Sequence, residues 1–158
     1  TDSATASITV YHNAPPTSGT LFVTPNRGVA WETLFEMESY GWTDEDLPLS
    51  YSFAYLLAED LQTALELAVS GQQFFGRAKD TTAAQDDIVT ISPFDQRAFA
   101  QTVLPANASS SVVVLYAIVR DALGAVTVVG EVVETVGTDV DAADQVLSVL
   151  QEEFDAEQ

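Results

Sequence analysis

Cysteine is absent from the 158 residues. That excludes a disulfide framework, thiol chemistry and cysteine-ligated zinc. A chain of this length has core enough to stand without cross-links, so an extracytoplasmic address stays open. Basic residues are scarce: 5 Lys and Arg stand against 24 Asp and Glu, and Lys79 is the single lysine. The net charge of −19 would be repelled by the phosphates of a nucleic acid and by anionic lipid, which excludes both as direct partners. Long apolar runs are lacking too. None approaches the roughly 18 residues of a membrane helix, and Val112–Val119 is strand-sized and bounded by polar residues. Histidine occurs once, as His12, with no Gly-x-Ser-x-Gly motif and no metal-ligand spacing around it. His12 therefore reads as an exposed linker residue, and the chain as no enzyme. The many carboxylates leave paired-acid glycoside chemistry formally open, but nothing marks a groove that would raise one pKa. No charged-then-apolar leader opens the sequence, and Thr1 reads as the start of a segment of a longer chain.

What is present is apolar content of 47%, in strand-sized runs, enough for one domain with a full core. The acidity then has three readings: solubility, life in salty water where screening removes self-repulsion, and binding of divalent cations.

Strand signals dominate. Ser7–Tyr11 is β-branched and aromatic, and Asn13-Ala14-Pro15-Pro16 stops it, because proline has no amide donor for a ladder. Thr20–Thr24 follows, closed by the turn composition Pro25-Asn26-Arg27-Gly28. Thr33–Ser39 alternates with Phe35 and Met37 inward. Leu49–Leu57 has the clearest period of two. Leu49, Tyr51, Phe53, Tyr55 and Leu57 share one face, so a one-residue slip would expose every aromatic. Leu61–Val69 fits a short helix or a strand, and Gly71–Gln85 reads as a polar loop. Ile88–Ser92 and Phe94–Leu104 are further strands. Val112–Asp121 is apolar on both faces, as a central strand is. A hairpin turn at Asp121–Ala125 leads to the partner strand Val126–Val136. From Asp139 to Phe154 the spacing changes to helical: Val140, Ala143, Val146, Leu147, Leu150 and Phe154 form one apolar face. The expectation is a lead-in strand or the end of a preceding module over 1–12, a β-sandwich over 13–137 burying residues such as Tyr51, Phe53, Val114 and Ile118 between its sheets, and a C-terminal amphipathic α-helix over 138–158. Gly137 separates the helix from the sandwich, and its apolar face would pack on this sandwich or on a partner.

The string Asn13-Ala14-Pro15-Pro16, Gly19-Thr20-Leu21, Pro25, Gly28 and Gly41-Trp42-Thr43-Asp44-Glu45-Asp46-Leu47-Pro48-Leu49-Ser50-Tyr51-Ser52-Phe53 resembles the receptor-for-egg-jelly (REJ) module of polycystin-like and protist surface proteins. Val119–Ala125 is similar to the penultimate-strand-to-turn pattern of polycystic-kidney-disease (PKD) type domains. The resemblance covers about residues 13 to 136. It implies an all-β, immunoglobulin-like (PKD or fibronectin type III-like) sandwich in extracellular arrays at the cell surface, with structural or adhesive roles. It supplies no catalytic motif and no cofactor.

Three places could carry a site. Asp44, Glu45 and Asp46 crowd one loop, and calcium takes about six to eight oxygens, often from loop carboxylates. Asp44 and Asp46, joined by Asp121 from another loop at the same end, are the candidate metal ligands. The plainer reading is a solvated turn, where Asp bonds nearby amides, and the spacing of an EF-hand calcium loop is missing. Asn107-Ala108-Ser109 is an N-glycosylation sequon in a Ser-rich loop. Trp42 reads as a ring that caps a sandwich core rather than one that stacks on a ligand. The function expected is a non-catalytic structural and adhesive module contacting neighbouring modules, other surface proteins or glycans. The alternative is a calcium- or carbohydrate-binding module with its site near Trp42 and Asp44.

Overall fold

A computed structural model describes residues 2–75, 87–107 and 110–137. The helix expected over 139–154 lies outside the described residues, as do Ala108 and Ser109 of the sequon. In chain order the elements are β1 (Thr20–Thr24), β2 (Arg27–Val29), β3 (Phe35–Tyr40), β4 (Ser50–Ala58), α1 (Leu61–Val69), α2 (Gly71–Phe75), β5 (Val89–Asp95), β6 (Phe99–Thr102), β7 (Ser110–Arg120) and β8 (Val126–Val136). They form two sheets, β1-β3-β6 and β2-β8-β7-β4-β5. The ladders are antiparallel except that of β2, which runs parallel to the end of β8. The long hairpin β7–β8 pairs without a slip from Ser110↔Val136 to Arg120↔Val126.

Alternation sorts the side chains. On β3, Phe35, Met37 and Ser39 are buried while Glu36, Glu38 and Tyr40 are exposed. On β4, Phe53 points into the space between the sheets, flanked by the half-buried Tyr51, Tyr55 and Leu57. Leu21, Phe35, Met37 and Ala100 from the small sheet meet Phe53, Val113, Leu115, Ala117 and Val133 from the large one. Each fully buried large side chain there contributes about 1.5–3 kcal/mol by leaving water.

The large sheet is covered on its other face as well, and this corrects the expected two-layer core. Ala54, Leu56, Val114, Tyr116 and Ile118 lie under α1 and α2, with Ala64 of α1 fully buried among them. Val114 and Ile118 are thus buried, but on the helical side. Consecutive strand residues face opposite ways, so with Val113 and Ala117 toward the small sheet they can go nowhere else. Leu61–Val69 is the helical alternative of the sequence reading. Asp60 caps it from an extended backbone, its Oδ1 accepting from the Thr63 amide at 2.7 Å. The Tyr116 hydroxyl donates to the Leu67 carbonyl at 2.7 Å, which ties α1 to the sheet. Gly130 makes the approach possible: a Cβ there would sit 2.9 Å from the Ala68 Cα. The stretch Gly71–Gln85, expected as loop, opens with the short helix α2.

Two boundaries also move. Phe94 and Asp95 belong to β5, so the following strand is only Phe99–Thr102. Ser7–Tyr11, read as a strand, forms no ladder with any described residue; Ile8, Val10 and Tyr11 are 88%, 80% and 90% exposed. Its composition favours a strand, but nothing described in this chain pairs with it.

Candidate functional site at the loop end

The Gly-Trp pair positions everything that follows it. Gly41 turns the chain at φ +81° after β3. The Trp42 ring then lies against Gly19 so closely that a Cβ on Gly19 would be 2.0 Å from the ring. Its indole N–H donates to Ser39 Oγ at 2.7 Å, and that hydroxyl donates to the Thr20 carbonyl at 3.1 Å. Thr17 and Thr43 exchange two backbone bonds of 3.0 and 2.9 Å. These contacts bring the Asn13–Pro16 segment beside the acidic loop. Trp42 is half-buried and its N–H is engaged, so the structure uses it for packing, as the sequence reading favours.

Two further links bring in the β7–β8 turn. The Asp46 carbonyl accepts from the Ala122 amide at 2.9 Å. Asp121 is 3% exposed; its Oδ1 accepts from the amides of Leu123 and Ala125, each at 2.9 Å, and its Oδ2 from Asn13 Nδ2 at 2.7 Å. Asp44 Oδ1 accepts from the Asp46 amide at 2.7 Å. The outcome is that one carboxylate oxygen each from Asp44, Asp46 and Asp121 lie within 4.8 Å of one another. The three expected metal ligands do converge. Glu45, on the same loop, is exposed and stands outside the group.

Electrostatics differ across the cluster. Burial, then the charges of Asp44, Asp121 and Glu45, push the Asp46 pKa up. Burial also acts upward on Asp121, but hydrogen bonds from Asn13, Ala125, Leu123 and Gly124 outweigh it and hold its pKa below the usual carboxylate value. Asp121 is thereby a fixed anion and Asp46 a strained one. Asp44 Oδ2 and Asn13 Oδ1 are enclosed by protein and have no hydrogen-bond partner among the described residues. Such groups are costly to leave unmatched. Both residues line one cavity of about 580 Å³, together with Tyr11, His12, Asp46 and Leu123.

The donors are hard oxygens, which suit calcium or magnesium rather than a thiophilic metal. Calcium–oxygen distances of about 2.3–2.6 Å allow two ligands on one ion to be up to roughly 5 Å apart, and the observed spread falls within that. The carboxylates of Asp44, Asp46 and Asp121 fit such an ion.

A family model described as REJ domain matches residues 1–155. The chain belongs to the REJ family. Neither curated proteins nor solved structures give a match. REJ domains are extracellular modules of larger proteins, and among the described residues no helix is long and apolar enough to cross a membrane. The Gly-Trp-Thr-Asp-Glu-Asp string that carries the REJ resemblance is the same string that builds the loop-end cluster.

Of the other sequence candidates, Asn107 stays apart from this site, whereas His12 lines its cavity. Asn107 is exposed, and its backbone amide donates to Ser111 Oγ at 2.7 Å. His12 is exposed and is not one of the converging ligands. Sequence reasoning overlooked Asn13, because one amide beside a Pro-Pro pair has no spacing that ties it to a loop 108 residues away. It also overlooked Phe22, Tyr40 and Phe99, which are exposed on the outer face of the small sheet, with Phe22 and Phe99 both paired to Glu38.

Proposed function

We propose that this REJ module is a non-catalytic structural and adhesive unit of a larger extracellular surface protein, with an immunoglobulin-like sandwich as its frame. The sheet order supports the frame. The first strand is divided between sheets, β1 lying on β3 and β2 running parallel to the last strand β8, as in a sandwich whose opening strand switches sides. The observation that carries the modular reading is Ser7–Tyr11, a strand-forming sequence left fully exposed. On this reading it completes the sheet of a preceding module. Hydrogen exchange on this chain alone, and on a longer chain containing the segment before it, tests the reading. Amides of Ile8–Tyr11 should exchange freely in the first and be protected in the second. Free exchange in both would overturn it.

A second function of the same module is favoured by the converged carboxylates: binding of one calcium ion by Asp44, Asp46 and Asp121. Extracellular calcium modules have dissociation constants of about 0.1–1 mM, which suits a site completed partly by water. Calorimetric titration of chelator-treated protein should give one site in that range. No heat, together with an unchanged melting temperature, would remove the calcium reading and leave the modular one standing.

A further inference from the structure

We propose that calcium in this cluster also takes Asn13 Oδ1 as a ligand, and so clamps the lead-in segment to the loop end of the sandwich. This rests on the calcium reading above. It adds a mechanical role: the ion fixes the direction in which the preceding part of the protein leaves this module.

Asn13 stands outside the acidic cluster in sequence and in chemistry. Its amide nitrogen is already spent on Asp121 Oδ2 at 2.7 Å, which holds the carboxamide beside the carboxylates. Its oxygen is enclosed and lacks a partner among the described residues, although an amide oxygen can accept two hydrogen bonds. A cation would satisfy it together with the equally unmatched Asp44 Oδ2. With Asp46 and Asp121 these supply four protein oxygens, and waters complete the set of about six to eight.

The position of Asn13 gives the ion its leverage. Residues 2–12 are exposed and form no ladder with any described residue. Beyond Asn13, the segment is held at the bridge between Thr17 and Thr43 and by the Thr127 hydroxyl donating to the Pro16 carbonyl. Tyr11, His12 and Asn13 line the same cavity as Asp44 and Asp46, and among the described side chains the Asn13–Asp121 hydrogen bond is what ties this segment to the carboxylates. An ion bound by Asn13 and the carboxylates adds a second tie. Two prolines, Pro15 and Pro16, stiffen the stretch between clamp and sandwich, so fixing Asn13 fixes the exit direction.

The chain's lack of cysteine makes the test clean, since two introduced cysteines can be spin-labelled uniquely. Labels at Ile8→Cys and Val69→Cys, both at positions 88% exposed, report the distance from the lead-in to α1 by pulsed electron resonance. Calorimetry on the same protein reports calcium binding independently. The proposal expects a broad distance distribution with chelator and a narrow one at a calcium concentration ten times the dissociation constant, where unclamped molecules fall about elevenfold. Asn13→Ala should weaken calcium binding and keep the distribution broad at the same calcium concentration. If calcium binds and the distribution does not narrow, the clamp is wrong and the calcium site stands. If Asn13→Ala narrows like the parent, Asn13 is not a ligand. If calcium does not bind at all, the clamp and the calcium reading fall together.

Discussion

Gly19→Ala puts the packing that assembles the loop end to a quantitative test. The new Cβ would lie 2.0 Å from Trp42 Cδ2, where ordinary contact begins at 3.4 Å. The ring would have to retreat by about 1.4 Å, the difference of those two distances. It cannot do so and keep its 2.7 Å bond to Ser39 Oγ. Overpacking costs about 1–3 kcal/mol and the lost hydrogen bond about 0.5–1.5 kcal/mol. The reduced freedom of the unfolded chain returns about 0.4–1 kcal/mol. The net destabilisation is about 0.5–4 kcal/mol. At about 2 kcal/mol the melting temperature should fall by roughly 4–8 °C for a domain of this size. Denaturant unfolding should show a lower midpoint with the slope unchanged. The cause can be isolated with Trp42→Ala: once the ring is gone, adding Gly19→Ala should cost little. A loss within 0.5 kcal/mol in the parent background, or an equal loss in both, would refute the reasoning.

Gly130→Ala should lower stability by about 1–3 kcal/mol by pushing α1 off the large sheet, which a thermal melt would detect. Tyr116→Phe should cost about 0.5–1.5 kcal/mol in chemical denaturation for its bond to the Leu67 carbonyl. Burial pushes the Tyr116 phenol up to about 12, above its unfolded value of 10, so the folded state holds this proton longer. Its contribution should be complete below pH 10 and be lost as pH rises from there toward 12, as urea midpoints against pH would reveal. Asp46 has the same direction of shift but belongs to a carboxylate. Without calcium its ionised form opposes folding at neutral pH, and the penalty eases as pH falls through its raised pKa. Asp46→Asn should therefore melt higher than the parent in chelator and lose the calcium response.

Most of the β framework was legible because alternation is unambiguous where one face carries rings. Leu49–Leu57 and Thr33–Ser39 show which residues face inward, and the Asp121–Ala125 turn sets the β7–β8 register. The helical layer was less legible, although its signals are in the chain. Asp60 is an N-cap, Ala64, Leu67 and Ala68 lie at helical spacing, and Gly130 marks where another backbone comes close. Those cues are weak singly, and a β-rich chain offers a strand as a competing answer for Leu61–Val69. At the site, Asp44 and Asp46 announce themselves by crowding, and Asp121 by its turn. Asn13 does not, since its role depends on a contact across the whole fold that local pattern does not encode. The unpaired Ser7–Tyr11 is the reverse case: the local propensity is strong and no ladder partner for it is found among the described residues.

The most direct measurement is a crystal structure of the calcium-equilibrated protein with anomalous data collected to locate the ion. The account expects one calcium peak among Asp44, Asp46 and Asp121, with the Asn13 side-chain oxygen at bonding distance. Well-ordered carboxylates in the same positions, surrounding only water at saturating calcium, would contradict it.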